Sequence, residues 1–517
     1  MNRLSAIYPV CSRLLPPSPP IPDIEIPRLA DYLEAHPSYL ESRPWIADLA
    51  RIEAARHSLL ASADPFPDPD TIHERALNPH LHLIPVRWRG LDTLLREPDI
   101  EPTPGEGFVL VWRTPDNGEL LTREAHPSEL LALKLVSEQI DSRSAAAEGG
   151  VPVGTIDDSL SLAEQEGLLI APSSRIVRPP EFPRGEVTES RFFTTPTFTL
   201  QWHITQTCDL HCRHCYDRSE REELPQERCI AVLDELYDFC REHHVFTQVT
   251  FTGGNPLLYP HFNELYREAV DRGFLTAILG NPMPRHRIEE MIAIRKPEFY
   301  QVSLEGLREH NDHIRGPGHF DRVFAFLDLL RELDIYSMVM LTLTRANLDQ
   351  VLDLAEMLRD RVDLFTFNRL AMVGEGAELA SVEQDAFQGF LRSYLDAAAG
   401  NPCMGLKDNL FNILKYRSGQ PFFGGCAGRG CGAAFNFAAL LPDGEVHACR
   451  KFPSPIGNLH TGRFRDIYHG EAARRYRAGS RACANCPIRP VCGGCMAVAY
   501  GFGRDIFNDL DPYCFFS

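Results

Sequence analysis

The sequence predicts an α/β protein whose centre is a partial (β/α)6 TIM-type barrel. Between residues 195 and 400, six strand-like segments alternate with amphipathic helices. The first part of the chain has a mixed helix and strand pattern, and the last part is rich in Gly and Cys with weak periodicity. Because 517 residues exceed what one core usually supports, we expect three domains, at 1–190, 195–400 and 420–517.

The first domain is predicted to be a mixed α+β, winged-helix-like module. Proline-rich segments at 16–27 and 178–186 are natural linkers. Between them lie a helical pattern, a strand-like segment, a hairpin signal and two further helices, at 28–60, 107–114, 115–121, 128–140 and 156–170.

The barrel prediction depends on apolar periodicity. Helical stretches with apolar residues at i, i+3 and i+4 separate the strands. The strand candidates are 197–205, 248–254, 275–280, 299–306, 336–344 and 363–372. In such an arrangement the chemistry lies at the carboxyl ends of the strands.

Charge and apolar runs limit the partners and the compartment. Lys and Arg total 52 against 71 Asp and Glu, a formal charge of -19, which argues against nucleic acid or an anionic membrane and favours a cationic or neutral substrate. Pro and Arg interrupt the first 20 residues, so we expect no signal peptide. No stretch approaches the ~20 apolar residues of a membrane span, which predicts a soluble, cytoplasmic protein.

The 15 cysteines indicate metal thiolates more than disulfides, which are typical of small secreted chains. Three fall at 208–215 and eight at 426–514. The other four are expected to be buried free thiols: Cys11, Cys229, Cys240 and Cys403.

Cys208, Cys212 and Cys215 occupy one short loop directly after the first predicted barrel strand. A cubane iron–sulfur cluster needs four ligands, so three thiolates leave one iron open to a small molecule. Zinc is the alternative, with a histidine as fourth ligand: His203, His211 or His214.

The segment CDLHCRHCY resembles the CxxxCxxC loop of the radical S-adenosylmethionine (SAM) superfamily. The resemblance implies that SAM chelates the open iron and is cleaved to a 5′-deoxyadenosyl radical, which abstracts a substrate hydrogen. It also implies that His214 and Tyr216 flank the adenine side.

Two more segments resemble SAM-contacting parts of that family. Gly253, Gly254, Asn255 and Pro256 correspond to a GGEP-like turn whose backbone receives the methionyl amino group, with Asn255 in place of Glu. A simple β-to-α turn that needs glycine is the alternative.

Ser303 and Glu305 correspond to the SLDG segment, with Glu for Asp. Arg315 offers a fork for a carboxylate, or else forms a surface ion pair. Arg369 is a weaker candidate.

Eight C-terminal cysteines, including a Cys-x2-Cys-x5-Cys-x2-Cys run, resemble the SPASM domain, with one inner spacing a residue shorter than usual. The resemblance implies crossed ligation of two further [4Fe-4S] clusters, three in all. The first auxiliary cluster is assigned Cys426, Cys431, Cys449 and Cys495. The second is assigned Cys483, Cys486, Cys492 and Cys514. Two structural zinc sites are the alternative.

Radical SAM enzymes with SPASM domains mostly modify residues of ribosomally made peptides or proteins. The resemblance therefore implies a peptide maturase, of the selenobiotic or thio(seleno)oxazole type, with a precursor peptide as substrate and a flavodoxin or ferredoxin as reductant. A sulfatase-type maturase or a small-molecule radical oxidase is the enzymatic alternative, although Arg450 stands where sulfatase-maturing members have a catalytic Asp. A non-catalytic iron–sulfur redox protein is the alternative of another class.

The winged-helix-like module is expected to dock a leader peptide by strand addition. A structural role and DNA binding are the alternatives, and the charge argues against DNA.

Overall fold

The computed structural model describes residues 3–16, 21–97 and 99–516. Part of the linker predicted at 16–27, residues 17–20, lies outside the described residues, as do residues 1–2, 98 and 517. The chain forms two compact units, Met1–Ser173 and Ser174–Ser517. The division into three domains stays a prediction.

The first unit is a mixed α+β module. Its strands are β1 (Ala76–Leu77), β2 (Leu81–Arg89), β3 (Thr103–Arg113), β4 (Leu120–Glu124) and β5 (Leu169–Ile170). Its helices are α1 (Arg3–Ile7), α2 (Cys11–Leu14), α3 (Leu29–Ala35), α4 (Ile46–Ala61), α5 (Leu91–Leu94), α6 (Pro127–Ser137), α7 (Ser142–Gly149) and α8 (Val153–Gln165). The strands β2, β3 and β4 form an antiparallel sheet in that order, and β1 pairs with β5.

The second half of β3, residues 109–112, is buried on both faces of its sheet. Val109 and Val111 join the core of the first helices, whereas Leu110 and Trp112 join the core of α6 and α8. This alternation is the two-residue period of a strand, with apolar residues on both sides because helices cover both. The mixed α+β prediction is confirmed, with the three-stranded sheet preceding the last three helices.

The second unit contains the barrel and the cysteine-rich segment. Its strands are β6 (Thr197–Thr205), β7 (Phe246–Gly253), β8 (Leu275–Leu279), β9 (Phe299–Ser303), β10 (Ser337–Leu343), β11 (Leu364–Arg369), β12 (Phe437–Leu440), β13 (Glu445–His447) and β14 (Pro455–Asn458). Its helices are α9 (Gln226–Glu242), α10 (Phe262–Asp271), α11 (Arg285–Ile292), α12 (Arg308–Arg315), α13 (His319–Glu332), α14 (Val351–Leu358), α15 (Gln384–Gly400), α16 (Phe411–Arg417), α17 (Phe464–His469), α18 (Glu471–Ala478) and α19 (Met496–Gly501).

The six strands β6 to β11 are parallel and lie side by side in chain order, as the partial-barrel prediction requires. Their carboxyl ends therefore meet at one rim. Beyond β6 the sheet continues through β12, which is parallel to it, and then the antiparallel strands β13 and β14, giving nine strands in all. The cysteine-rich segment thus extends the barrel sheet.

Among the described helices, none combines the length and apolar character needed to cross a membrane.

Candidate active site

A cavity of about 400 Å³ lies at the carboxyl ends of the barrel strands. The loop after β6 brings Cys208, Cys212 and Cys215 to its wall. Later strands contribute polar side chains at or near their carboxyl ends, namely Thr252, Gln301, Ser303, Thr342 and Asn368. The cavity thus lies at the carboxyl ends of the strands, where the sequence predicts the chemistry.

The three loop cysteines present thiols to the same space. Burial raises the pKa of Cys212 and of Cys215, and the negative charge of Cys208 raises both further. A guanidinium nitrogen of Arg315 lies 3.7 Å from Cys212 Sγ, and the Asn281 amide nitrogen lies 3.6 Å from Cys208 Sγ. Three soft donors with cationic and amide neighbours fit a cluster that has one iron without a protein ligand.

In the described residues, no group of three or more His, Cys, Asp or Glu side chains could hold a single metal ion. A cubane, by contrast, distributes its thiolate ligands over several irons.

Gly253 ends β7 and Gly254 follows it, and both glycines line the cavity beside the cysteine loop. Gly253 has φ 130°, and a Cβ there would lie 2.2 Å from the Thr205 carbonyl oxygen. A Cβ on Gly254 would lie 2.1 Å from the Thr207 carbonyl oxygen. The glycines are therefore required by close backbone packing, and this packing leaves the chain exposed at the cavity surface.

Asn255 and Pro256 are buried and are not among the cavity-lining residues. The Asn255 amide nitrogen donates to Asp209 Oδ1 at 3.0 Å, and its own Oδ1 has no partner among the described residues. Asn281 donates to the same Asp209 oxygen at 2.7 Å. Asn255 therefore holds the cysteine loop from behind the wall, and its contact with the cofactor stays a prediction.

Glu305 is also buried behind the wall, with 2% of its surface exposed. Its carboxylate accepts from Arg315 at 2.6 Å and from the Thr342 backbone at 2.8 Å, and it lies 3.2 Å from His214. Burial raises the pKa of Glu305, but His214 and Arg315 outweigh burial and hold that pKa well below its usual range.

Arg315 has a buried partner, so a surface ion pair is wrong for this residue: only 10% of its side chain is exposed. Arg315, His214 and Ser303 line the cavity, and Glu305 contacts the first two from behind its wall.

Tyr216 lines the cavity, and its hydroxyl lies 3.2 Å from His203 Nε2. Burial raises the pKa of Tyr216 to about 12. Burial, with the nearby charge of Arg450, lowers the pKa of His203 to about 3, so this histidine is neutral at physiological pH. A neutral imidazole suits a hydrogen bond to the phenol and leaves His203 unsuited to a charged role.

The charges that act on the C-terminal thiols divide these thiols into two groups. Burial raises the pKa of Cys431 to about 11, and the charges of Cys495 and Cys426 raise it further. Burial likewise raises the pKa of Cys449 to about 12, with Cys495 and Cys431 adding to the shift. Eight thiols in two sets of four fit two clusters with no open iron.

The second group shows the same pattern. Burial raises the pKa of Cys483 and of Cys492, and the charges of Cys486 and Cys514 raise both further. Ligation of clusters by these residues stays a prediction. The four cysteines expected to be buried free thiols, Cys11, Cys229, Cys240 and Cys403, are all buried, and their free state stays a prediction.

Sequence reasoning missed several cavity residues. Thr252, Gln301, Thr342 and Asn368 are polar residues near the ends of otherwise apolar strands, a signal that the strand pattern contained. Arg450 and Lys451 reach the cavity from the segment after β13. The only sequence signal for them was the arginine that directly follows Cys449.

Comparison with known proteins gives two family matches. The Radical SAM superfamily matches residues 202–358, and SPASM, an iron–sulfur cluster-binding domain, matches residues 431–495. The mycofactocin maturase MftC of Mycolicibacterium smegmatis is 30% identical over 338 residues, covering 61% of this chain and 82% of the relative.

The AdoMet-dependent heme synthase of Methanosarcina barkeri is 24% identical over 346 residues, covering 61% of this chain and 96% of the relative. Among solved structures, Streptococcus suis SuiB bound to precursor peptide SuiA has a TM-score of 0.50 at 14% identity, covering 79% of this chain and 96% of SuiB. This last likeness concerns the fold.

Proposed function

The chain belongs to the radical SAM superfamily and carries a SPASM domain, and we propose that it is a peptide maturase that abstracts hydrogen from a residue of a ribosomally made peptide. When bound, a [4Fe-4S] cluster and SAM supply a 5′-deoxyadenosyl radical. The observation that carries the proposal is the position of Cys208, Cys212 and Cys215 on a cavity at the rim of six parallel strands.

The chain's own residues bind and orient the reactants. The backbone at Gly253 and Gly254 is open to the cavity and is proposed to receive the methionyl amino group. Arg315, fixed by Glu305, and the Ser303 hydroxyl are proposed to contact the rest of the cofactor, with His214 and Tyr216 beside the adenine. A site with the polar groups already fixed needs little reorganisation when the cofactor enters.

The peptide is proposed to dock on the first unit by strand addition. Strand addition takes place at the edge of a sheet, and the edge strands of this sheet are β2 and β4. Both edges have engaged backbone groups. On β2, Pro85 has no N–H and the Arg87 N–H donates to Asp48 at 2.7 Å. On β4, the Thr122 carbonyl accepts from Arg96 at 3.0 Å. Hydrogen exchange at residues 81–89 or at residues 120–124 should therefore slow when the precursor peptide is added, and the strand that slows identifies the docking edge.

The two auxiliary clusters are proposed to relay electrons from a flavodoxin or ferredoxin. Such a reductant, together with oxygen-sensitive clusters, makes the cytoplasm the proposed compartment. The selenobiotic or thio(seleno)oxazole subgroup stays a prediction. The sulfatase-type alternative is less favoured, because Arg450 is a cation and lacks the proton-accepting carboxylate expected there.

Anaerobic reconstitution of the full chain tests the proposal. With SAM and dithionite, the protein should form 5′-deoxyadenosine, whereas the variant with Cys208, Cys212 and Cys215 all changed to Ala should form none. A wild-type sample that carries about twelve irons and forms no product would exclude every enzymatic function considered above. Two zincs with about four irons would overturn the auxiliary clusters.

A further inference from the structure

The cavity wall has a charge opposite to that of the chain. Its lining includes five cationic side chains and a single carboxylate, that of Asp217. The cations are Arg218, Arg315, Arg369, Arg450 and Lys451. The chain's net charge of -19 favours a cationic or neutral substrate. The charge of the cavity wall, which the substrate meets, differs in sign from this net charge.

Three of these cations already have acidic partners. Arg315 pairs with Glu305 at 2.6 Å. Arg369 pairs with Asp408 at 2.6 Å and with Asp511 at 2.8 Å. Arg218 lies 3.9 Å from Glu375, and the single carboxylate of the wall, Asp217, lies 3.5 Å from Arg221.

Arg450 and Lys451 differ from the other three. Within the described residues neither forms an ion pair: Arg450 donates to the Thr252 hydroxyl at 3.5 Å, and Lys451 donates to the Asn368 side-chain oxygen at 2.6 Å. Both are half-buried. Two adjacent cations in a partly desolvated cavity are unfavourable unless an anion joins them.

The thiolates of the first auxiliary cluster are one source of negative charge for these cations. Another cation, Lys407, already lies near two of these thiolates, Cys426 and Cys449. Lys451 is also close to Cys449. Arg450, however, extends to Thr252 at the end of β7 and to Tyr216 in the loop after β6, on the proposed cofactor side of the cavity. The cluster therefore does not account for Arg450.

We infer that Arg450, with Lys451 beside it, binds a carboxylate of the peptide substrate, supplied by an Asp or Glu side chain or by the peptide's C-terminus. The inference rests on the proposed function and names the class of substrate residue. The guanidinium fork of Arg450 matches the two oxygens of a carboxylate, and the ammonium of Lys451 adds a second positive charge to the same cavity wall. A carboxylate bound by Arg450 would lie at the end of β7, next to the cofactor cradle.

A synthetic library of random decapeptides tests this inference, half with free C-termini and half amidated. The library is incubated anaerobically with full-length, cluster-loaded protein and SAM, and retained peptides are sequenced by mass spectrometry. If a side chain supplies the carboxylate, Asp and Glu should be enriched about tenfold over Asn and Gln among the retained amidated peptides. If the C-terminus supplies it, peptides with free C-termini should be enriched about tenfold over amidated peptides. Tenfold corresponds to the lower end of the free energy of a hydrogen bond to a charged group. The half that shows enrichment identifies the source of the carboxylate.

The double variant Arg450→Gln/Lys451→Gln should lose the enrichment, whereas Arg267→Gln, an exposed arginine of α10, should keep it. Absence of enrichment in wild type, or enrichment that persists in the double variant, overturns the inference. So does a loss of SAM affinity beyond about tenfold in the double variant, because the cations would then serve the cofactor's own carboxylate. Wild type that forms 5′-deoxyadenosine without acidic enrichment refutes only this inference and leaves the proposed function intact.

Discussion

Arg369 and Asp511 form a bidentate ion pair in which both N–O distances are 2.8 Å. Arg369 ends β11, and Asp511 lies close to the end of the chain, so the pair fastens the last segment to the barrel. Both side chains are less than 5% exposed, and Asp511 also accepts from the backbone of Cys495 and Tyr513. The fork of Arg369 is therefore occupied by protein carboxylates, although its side chain lines the cavity.

The first prediction concerns this buried pair. Asp511→Asn keeps the shape of the side chain but leaves the Arg369 charge only partly compensated, by Asp408. Breaking a buried pair by removing one partner typically costs about 3–5 kcal/mol. We expect amide hydrogen exchange of residues 495–516 to accelerate more than about a hundredfold, measured by mass spectrometry on the cluster-loaded protein.

The matched control is Asp334→Asn, which removes an exposed ion pair of similar length. Asp334 lies 2.9 Å from Lys296 with 95% of its side chain exposed, so the expected cost is below about 1 kcal/mol. Equal effects of the two substitutions would contradict a special role for Asp511.

The second prediction concerns the residue that departs from the family pattern. A glutamate at 255 would place a second carboxylate beside Asp209, whose Oδ1 now lies 3.0 Å from the Asn255 amide nitrogen. Like charges in contact cost several kcal/mol, so Asn255→Glu should weaken SAM binding at least about tenfold in equilibrium dialysis. Adding Asp209→Asn should restore binding. If Asn255→Glu alone binds SAM as tightly as wild type, the Asp209 carboxylate does not lie beside the side chain of residue 255.

The barrel and the cysteine loop could be predicted because their signals are local. Strand β6 was predicted at 197–205 and is observed as Thr197–Thr205, because its apolar run ends at a polar, cysteine-rich loop. Strand β2 was missed because Pro85 and three arginine or histidine side chains interrupt it, which an edge strand tolerates.

The contacts that organise the site could not be predicted in this way. Asp209, Asn255 and Asn281 follow three different strands and meet only when the ends of β6, β7 and β8 come together. The partner of Arg369 lies 142 positions away in the sequence.

The third prediction concerns the packing of the glycine turn on the cysteine loop. Gly254→Ala would place a methyl group 2.1 Å from the Thr207 carbonyl, so the segment that leads into Cys208 must shift. We expect loss of the first cluster, with iron falling from about twelve to about eight per chain, and loss of SAM binding. Gly389→Ala in α15 is the control, because a Cβ there meets nothing within 4 Å. That change should keep all the iron and raise stability by up to about 1 kcal/mol.

The fourth prediction tests the crossing of the auxiliary clusters. If ligands were shared by sequence neighbours, Cys492 and Cys495 would belong to one cluster. The thiol charges instead associate Cys495 with Cys449 and Cys492 with Cys514. Cys449→Ala/Cys495→Ala should therefore remove one cluster, about four irons, whereas Cys492→Ala/Cys495→Ala should remove both, about eight irons. Iron analysis and Mössbauer spectroscopy measure the difference, and a loss of only about four irons from Cys492→Ala/Cys495→Ala would show that the crossing is wrong. The SAM cluster should persist in both variants, because Cys208, Cys212 and Cys215 lie on the separate loop after β6.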